Sequence, residues 1–416
     1  MRQSFLLLVL AALSLGAHAQ TRDLRTVIEE DPSLAYTVYQ PYAPREGKLT
    51  PAPCGYKPFY ISHYGRHGSR YLTSDSYFEE GRHAFQQLAE AGLLTEEGKQ
   101  AHADFTALMD MHRKMYGELS ARGAREHQGV SQRMYRRFGR VFRKRRKVHC
   151  VSSTVPRCLM SMANFTSVLK GNEPRLDISY LTGQKYFEIL CHGFDADGMF
   201  ADVRRIDDSL GRADSRYEKL YKRLLTDPER AKALLGDPMS LAHGLYIGGI
   251  IAPCLDAPDP LRFFEADELA SFAIPLNNRI YGEFCNSLEW GRYPCEAAKG
   301  LVLDFVQKAD EALKSDSPVA ADLRFGHDSG LIPLLSLLEI DRCDVRAHIA
   351  HADRLWHAHD MIPMCSNLQL VFYRNGKGHV LVKILYNEAE TSIKALPGGP
   401  WYAWEDLRAW MLKKAE

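Results

Sequence analysis

Apolar positions along the chain follow three different rhythms. The first is a continuous run from Phe5 to Leu15, preceded by Arg2 and followed by Ala17-His18-Ala19. A positive end, an apolar core too short to span a bilayer and a small-residue cleavage site predict a secretory signal peptide over residues 1–19. The mature protein is then expected to begin near Gln20 and to be exported, to the periplasm or outside the cell. The second rhythm is the short buried strand. Aromatic and β-branched residues dominate Phe59–Tyr64; Val148–Ser152 and Leu323–Gly326 also read as strands, and each run leads into a turn or a helix start. The third is helical: Val130, Met134, Phe138 and Val141 or Phe142 recur on one face, and Ser329–Leu338 reads as an apolar helix. Two alternating strands around Asn375-Gly376-Lys377-Gly378 predict a C-terminal hairpin.

Strands separated by helical stretches point to an α/β fold: a central, mostly parallel sheet flanked by helices. The first half of the core is expected over residues 20–171, with a helical excursion at 74–143 that includes a helix start at Thr95-Glu96-Glu97. The second half is expected over residues 318–416. The intervening 172–317 are mostly helical and loop-rich. No run beyond the N-terminus is apolar for long enough to cross a membrane.

Composition narrows the class. Apolar residues make up 45% of the chain, enough for an ordinary core, and the formal net charge of +1 gives no overall attraction for nucleic acid. Charge is concentrated locally, from Arg133 to Lys147. That tract complements the negative end of its helix as a solvated face, or supplies an attracting field for a polyanionic substrate. Without interleaved aromatics it does not resemble a nucleic-acid site. Of nine cysteines, Cys285 and Cys295 bracket a short segment and are the expected local bridge. His348, His351, His357 and His359 lie close together, but no cysteine or carboxylate completes a zinc-binding pattern around them.

The chemistry gathers at the strand ends. After Phe59–Tyr64 come Gly65, Arg66, His67, Gly68, Ser69 and Arg70. Two glycines let the backbone turn and approach a ligand, while two guanidinium groups flank one imidazole. Arginine forks suit phosphate oxygens, and a neutral histidine among fixed cations can attack phosphorus. After Val148–Ser152, Arg157 stands at a helix opening, a natural anion site. After Leu323–Gly326 come His327 and Asp328. Ligands of open α/β sheets gather beyond the carboxyl ends of the strands, so these junctions are expected to converge.

The run Arg66-His67-Gly68-Ser69-Arg70 resembles the start motif of the histidine acid phosphatases, the branch of the histidine phosphatase superfamily with a large inserted cap. Bacterial relatives of multiple inositol polyphosphate phosphatase are the most similar in pattern. The resemblance extends from about Tyr56 to about Glu390. It implies that His67 is a nucleophile, that Arg66, Arg70, Arg157 (with Ser161, in an R-x-x-x-S pattern) and His327 bind phosphate, and that Asp328 protonates the leaving group. It makes 172–317 a mainly helical cap and implies neither metal nor cofactor. The expected partner is a small phosphomonoester, an inositol polyphosphate such as phytate; the alternatives are a broad acid phosphatase, a phosphotransferase or mutase, and a non-catalytic phosphate-binding protein. Those relatives carry His-Ala-Glu where this chain has His327-Asp328-Ser329, so positional specificity, and whether another carboxylate gives the proton, stay open. In the cap, Asn277, Asn278, Arg279 and Tyr281 are candidate substrate contacts.

Overall fold

The computed structural model describes residues 22–45, 47–191, 193–195 and 198–416; the expected signal peptide lies outside them. Its centre is a single mixed sheet built from β1 (Lys57–Arg66), β2 (Lys147–Ser152), β3 (Asp177–Thr182), β4 (Val319–Gly326), β5 (Asn367–Arg374), β6 (Val380–Tyr386), β7 (Ala389–Glu390) and β8 (Trp401–Ala403). The strand order is β3-β2-β4-β1-β5-β6-β7, with β8 also on β6. From β3 to β1 neighbours run parallel. From β1 onward they are antiparallel, the hairpin predicted at Asn375–Gly378 joining β5 to β6. The parallel half is therefore the half that carries the three strand-end motifs.

Helices precede and follow these strands in the order α1 (Leu24–Glu30), α2 (Ser76–Glu90), α3 (Glu96–Met111), α4 (Ala121–Lys144), α5 (Pro156–Asn172), α6 (Met199–Asp214), α7 (Glu218–Leu224), α8 (Pro228–Leu235), α9 (Ser240–Gly249), α10 (Ala252–Leu255), α11 (Ala266–Phe284), α12 (Arg292–Leu313), α13 (Asp328–Leu337), α14 (Ala358–Met361) and α15 (Trp404–Ala415). One face of the sheet is covered by α4 and α5: Val130, Met134, Phe138, Val141 and Phe142 meet Ile61, Val148, Leu323 and Val371, so the helical stripe read from the sequence is this buried face. The other face packs against α12, α13 and α15.

The expected cap boundaries require correction. The excursion 74–143 divides: α2 and α3 pack against α7, α8 and α9, whereas α4 lies on the sheet. Within 172–317, β3 joins the sheet, and α12 packs on β1, β4, α13 and α15. The helical layer over the strand ends is thus assembled from two separate stretches. A 3.6-residue rhythm says that a face is buried but not against what.

All nine cysteines are free thiols. The expected Cys285–Cys295 bridge is absent: Cys285 caps the end of α11 and is fully buried, while Cys295 sits in the first turn of α12. Among the described residues, no single helix is long and apolar enough to cross a membrane.

Candidate active site

Strands β2, β4 and β1 are neighbours, and their registers bring Ser152 beside Phe325 and Gly326 beside Arg66. All three therefore finish at one level. The His67 N–H donates to Gly326 O (2.9 Å), and the Ser153 N–H to Phe325 O (3.3 Å). Arg157 enters from the first turn of α5 and Asp328 opens α13. The convergence expected at the three junctions is what the structure has.

His67 is buried, and its Nδ1 lies 2.9 Å from Gly68 O. A carbonyl can only accept, so Nδ1 carries the proton and Nε2 offers its lone pair. Burial first, then Arg157, Arg66, Arg70 and His327, push its pKa well below the ordinary range, which keeps the ring neutral in acid. The loop around it is tightly held. The Gly68 N–H donates to Ser161 Oγ (3.2 Å), while the Ser69 N–H and Oγ both donate to Glu126 (2.7 Å each). A Cβ on Gly68 would stand 2.6 Å from Gly123 O, so here the glycine serves close approach of α4 rather than an unusual φ.

Three guanidinium groups surround this imidazole. Arg66, fully buried, donates to the carbonyls of Val38 (2.8 Å) and Ile362 (2.6 Å) and pairs with Asp328 (2.8 Å). Arg70 donates to Tyr71 O and lies 5.3 Å above the Tyr39 ring. Arg157 reaches Gly117 O and His327 Nδ1, each at 3.4 Å. Burial and the repulsion of Arg70 lower the pKa of Arg157. The Nε atoms of all three are buried without a hydrogen-bond partner. His327 places Nε2 3.0 Å from Ser153 Oγ, and its ring centroid is 5.5 Å from that of His67. Such a cradle suits a tetrahedral dianion.

Asp328 accepts from the Ser329 N–H (2.9 Å). Burial alone would raise its pKa; Arg66, His327 and Arg70 outweigh that and hold it below the ordinary carboxylate value. It is consequently ionised until something else engages Arg66. The junction that carries it is pinned by Tyr64, whose hydroxyl donates to Leu190 O (2.8 Å) and accepts from the His327 N–H (3.3 Å). Gly326 and Gly330 leave room for that hydroxyl, which a Cβ on either would strike.

Three of the four candidate cap contacts have other tasks. Asn277 bonds Trp356 O (3.0 Å) and the Ala358 N–H (2.8 Å), and Asn278 bonds Asp353 (3.2 Å). The Tyr281 hydroxyl donates to Val345 O (2.8 Å) and accepts from the Ala347 N–H (2.9 Å). Buried amides and hydroxyls must find partners, and these stitch α11 to the segment before β5. Arg279 alone lines a cavity of about 290 Å³, together with Tyr39, Tyr77, Asp207, Asp208 and His243. Glu126, Tyr64, Ser153 and Tyr39 carry no motif and were not singled out from the sequence; Tyr39 lies in a stretch expected only to lead into the core.

The basic tract is elsewhere. α4 starts against the His67 loop and runs for 24 residues, about 36 Å, so its C-terminal arginines lie near Lys147, at the opposite end of β2 from the cradle. Arg145 is held there by the carbonyls of Ala312 and Val319, whereas Arg133 and Arg137, midway along α4, pair with buried Glu388 just past the end of β6; Arg136, Arg140, Arg143, Lys144, Arg146 and Lys147 are exposed. Screening over roughly 8 Å makes this pole a poor guide for substrate entering the other. Among the described residues no group of three His, Cys, Asp or Glu could hold a metal ion; His348 pairs with Glu289 and His357 with Asp353 O.

No protein-family model matches the chain. Multiple inositol polyphosphate phosphatase 1 from Gallus gallus is 26% identical, covering 92% of this chain and 87% of that protein. A multiple inositol polyphosphate phosphatase from Bifidobacterium longum, solved with inositol hexasulfate, superposes with a TM-score of 0.73 at 19% identity, covering 90% of this chain and 96% of that one. The chain has the histidine acid phosphatase fold. The phytase from D. castellii shares it at a TM-score of 0.67 and 16% identity, over 93% of this chain and 85% of that one. In this chain, 26% identical to that Gallus gallus phosphatase, the second motif stands as His327-Asp328, with the acid paired to Arg66.

Proposed function

We propose that this chain is an exported phosphomonoester hydrolase that works through a phosphohistidine and acts on inositol phosphates. The observation that carries the reading is the unprotonated Nε2 of His67 inside three arginines, with Asp328 across the cradle on Arg66. The Gallus gallus relative named for inositol polyphosphates supports the substrate class, and the apolar run after Arg2 supports export.

In the first step the Nε2 lone pair forms a bond to phosphorus while the ester P–O bond breaks, and Asp328 gives its proton to the departing oxygen. The arginines and His327 stabilise charge on the equatorial oxygens. A phosphate oxygen accepting from Arg66 weakens the Arg66–Asp328 pair and adds negative charge beside the carboxyl; both raise its affinity for a proton. Binding of the dianion therefore prepares its own acid. In the second step Asp328 takes a proton from water, the water oxygen bonds to phosphorus and the N–P bond breaks. Rapid acid and alkaline quenching during turnover should trap a phosphoryl group that is acid-labile and alkali-stable, as a phosphohistidine is; a phosphoryl group on serine or aspartate, or none at all, would refute the scheme. Mass measurement of the exported protein should place its first residue near Gln20.

A further inference from the structure

The basic tract at the far end of α4 carries charge that the fold does not use. From His127 to Asn172 the chain contains no aspartate or glutamate, so the tract has no acid of its own. Arg133 and Arg137 share Glu388, and Arg145 is held by two carbonyls and the Phe59 ring. Around the start of β2, Arg146 acts on Glu173, which also pairs with Arg175 (2.8 Å), and Lys147 lies in register with Asp177. Arg136, Arg140, Arg143 and Lys144 are left. All four are exposed, and no carboxylate pairs with them among the described residues. They recur at three- and four-residue steps along one side of α4, opposite the stripe that packs on the sheet. Only Arg143 and Lys144 stand in the last turn, where a cation complements the helix dipole. Arg136 and Arg140 lie further in, and like charges four residues apart weaken a helix. The charge is therefore available to something outside the molecule.

We propose that this side of α4 docks the protein on an anionic lipid surface, with the cradle turned toward the solution. The docking does not depend on the reaction assigned above. A discrete anion is held by buried, pre-aimed donors, as around His67. Here the cations are exposed and spread over about 12 Å of helix, which matches an array of phosphate headgroups. Nucleic acid fits less well, because stacking on bases needs free aromatic faces. The rings of this stretch are buried Phe138 and Tyr135, which is stacked on Phe142 with centroids 6.1 Å apart. The whole chain has a formal net charge of only +1, so the surplus here is balanced elsewhere and the molecule is dipolar. A negative surface then turns this side toward itself, and the expected export brings the protein to a membrane. Gly123, against the His67 loop, lies about 32 Å along α4 from Lys144, several screening lengths away. A docked molecule thus keeps its substrate entrance clear of the bilayer charge.

The test is co-sedimentation of the exported protein with vesicles at about 0.1 M NaCl. One set is phosphatidylcholine alone; the other contains about 30% phosphatidylglycerol. The natural protein should bind the second set only, and raising NaCl to about 0.5 M should release it. Each cation contributes about fivefold to such an affinity. R136Q/R140Q/R143Q/K144Q should therefore bind at least about a hundredfold more weakly, with its thermal midpoint unchanged. R136Q/R140Q should lose about twentyfold and carries the test if the quadruple variant does not fold. Failure to bind the anionic vesicles, binding unmoved by both variants, or tighter binding to duplex DNA at the same phosphate concentration overturns the proposal. Loss of p-nitrophenyl phosphate hydrolysis on vesicle binding would put the cradle against the lipid and overturns the orientation.

Discussion

Strand β4 carries two sets of buried charge only a few residues apart, and they are built on opposite principles. Arg324 is almost fully buried, yet its guanidinium is met by Asp304 (2.6 Å) and by Ser62 Oγ (3.0 Å) and lies 4.1 Å from the Phe305 ring. Its neighbour Asp322 accepts from Tyr60 (2.8 Å) and lies 3.1 Å from His149. At the end of the same strand, Arg66, Arg70 and Arg157 share one carboxylate, Asp328, and present bare Nε atoms. The first set is neutralised within the fold. The second keeps a surplus of positive charge that a dianion would cancel. Comparing the two separates a charge that holds the sheet together from a charge held ready for a ligand.

Substitutions should separate them experimentally. His67→Ala should lower phosphate release by about 10⁴-fold or more, with its thermal midpoint maintained; near-normal turnover would remove the cradle from catalysis. Arg157→Ala should lower kcat/KM by roughly 10²–10³-fold with little loss of stability, because it removes a cation already crowded by Arg70. Arg324→Ala should do the reverse, costing about 3–5 kcal/mol in urea unfolding by stranding Asp304, while the folded fraction keeps its specific activity. If Arg157→Ala unfolds the protein and Arg324→Ala silences it, the comparison is wrong.

Acid tests the same boundary through stability. Burial lowers the pKa of His63 and His127 to about 3, and that of His67 lies well below its usual value. Below pH ~6.5 the unfolded chain binds protons at these positions and the folded chain does not. Their contribution is therefore complete above that pH and is lost as pH falls, by about 4 kcal/mol per pH unit for the three together. Unfolding titrations should show this slope continuing toward pH 3, and His67→Ala should remove about a third of it. The smallest expected effect is that of Tyr64→Phe, which loses one hydrogen bond to the Asp328 junction. It should lower kcat by roughly fivefold, equivalent to about 1 kcal/mol, and leave KM nearly unchanged; a change in KM alone would mean that Tyr64 acts on binding rather than on position.

Much of this is legible in the sequence. Phe59–Tyr64, Val148–Ser152 and Leu323–Gly326 announce buried strands by side-chain type, and their polar ends name Arg66, His67, Arg157, His327 and Asp328. The hairpin was equally plain. The rest depends on partners distant in the chain. Nothing near Val38 or Ile362 marks their carbonyls as receptors for Arg66, and Tyr39 belongs to no motif. Asn277, Asn278 and Tyr281 looked like pocket polar groups because a helix sequence does not reveal whether an amide faces a cavity or a neighbouring loop. The basic tract leaves a solvated face and a substrate-attracting field both open for a related reason: charge is visible in sequence, but its position relative to the strand ends is not.

The backbone contact between Gly68 and Gly123 has a consequence for inheritance. A side chain at either position would collide with the main chain of the other element, at Gly123 in one case and Ser69 in the other. The two loci cannot drift one at a time, and no change at one is rescued by shrinking the other, which is already minimal. A saturation library over both codons should return glycine pairs almost alone, however permissive the selection for the rest of the loop.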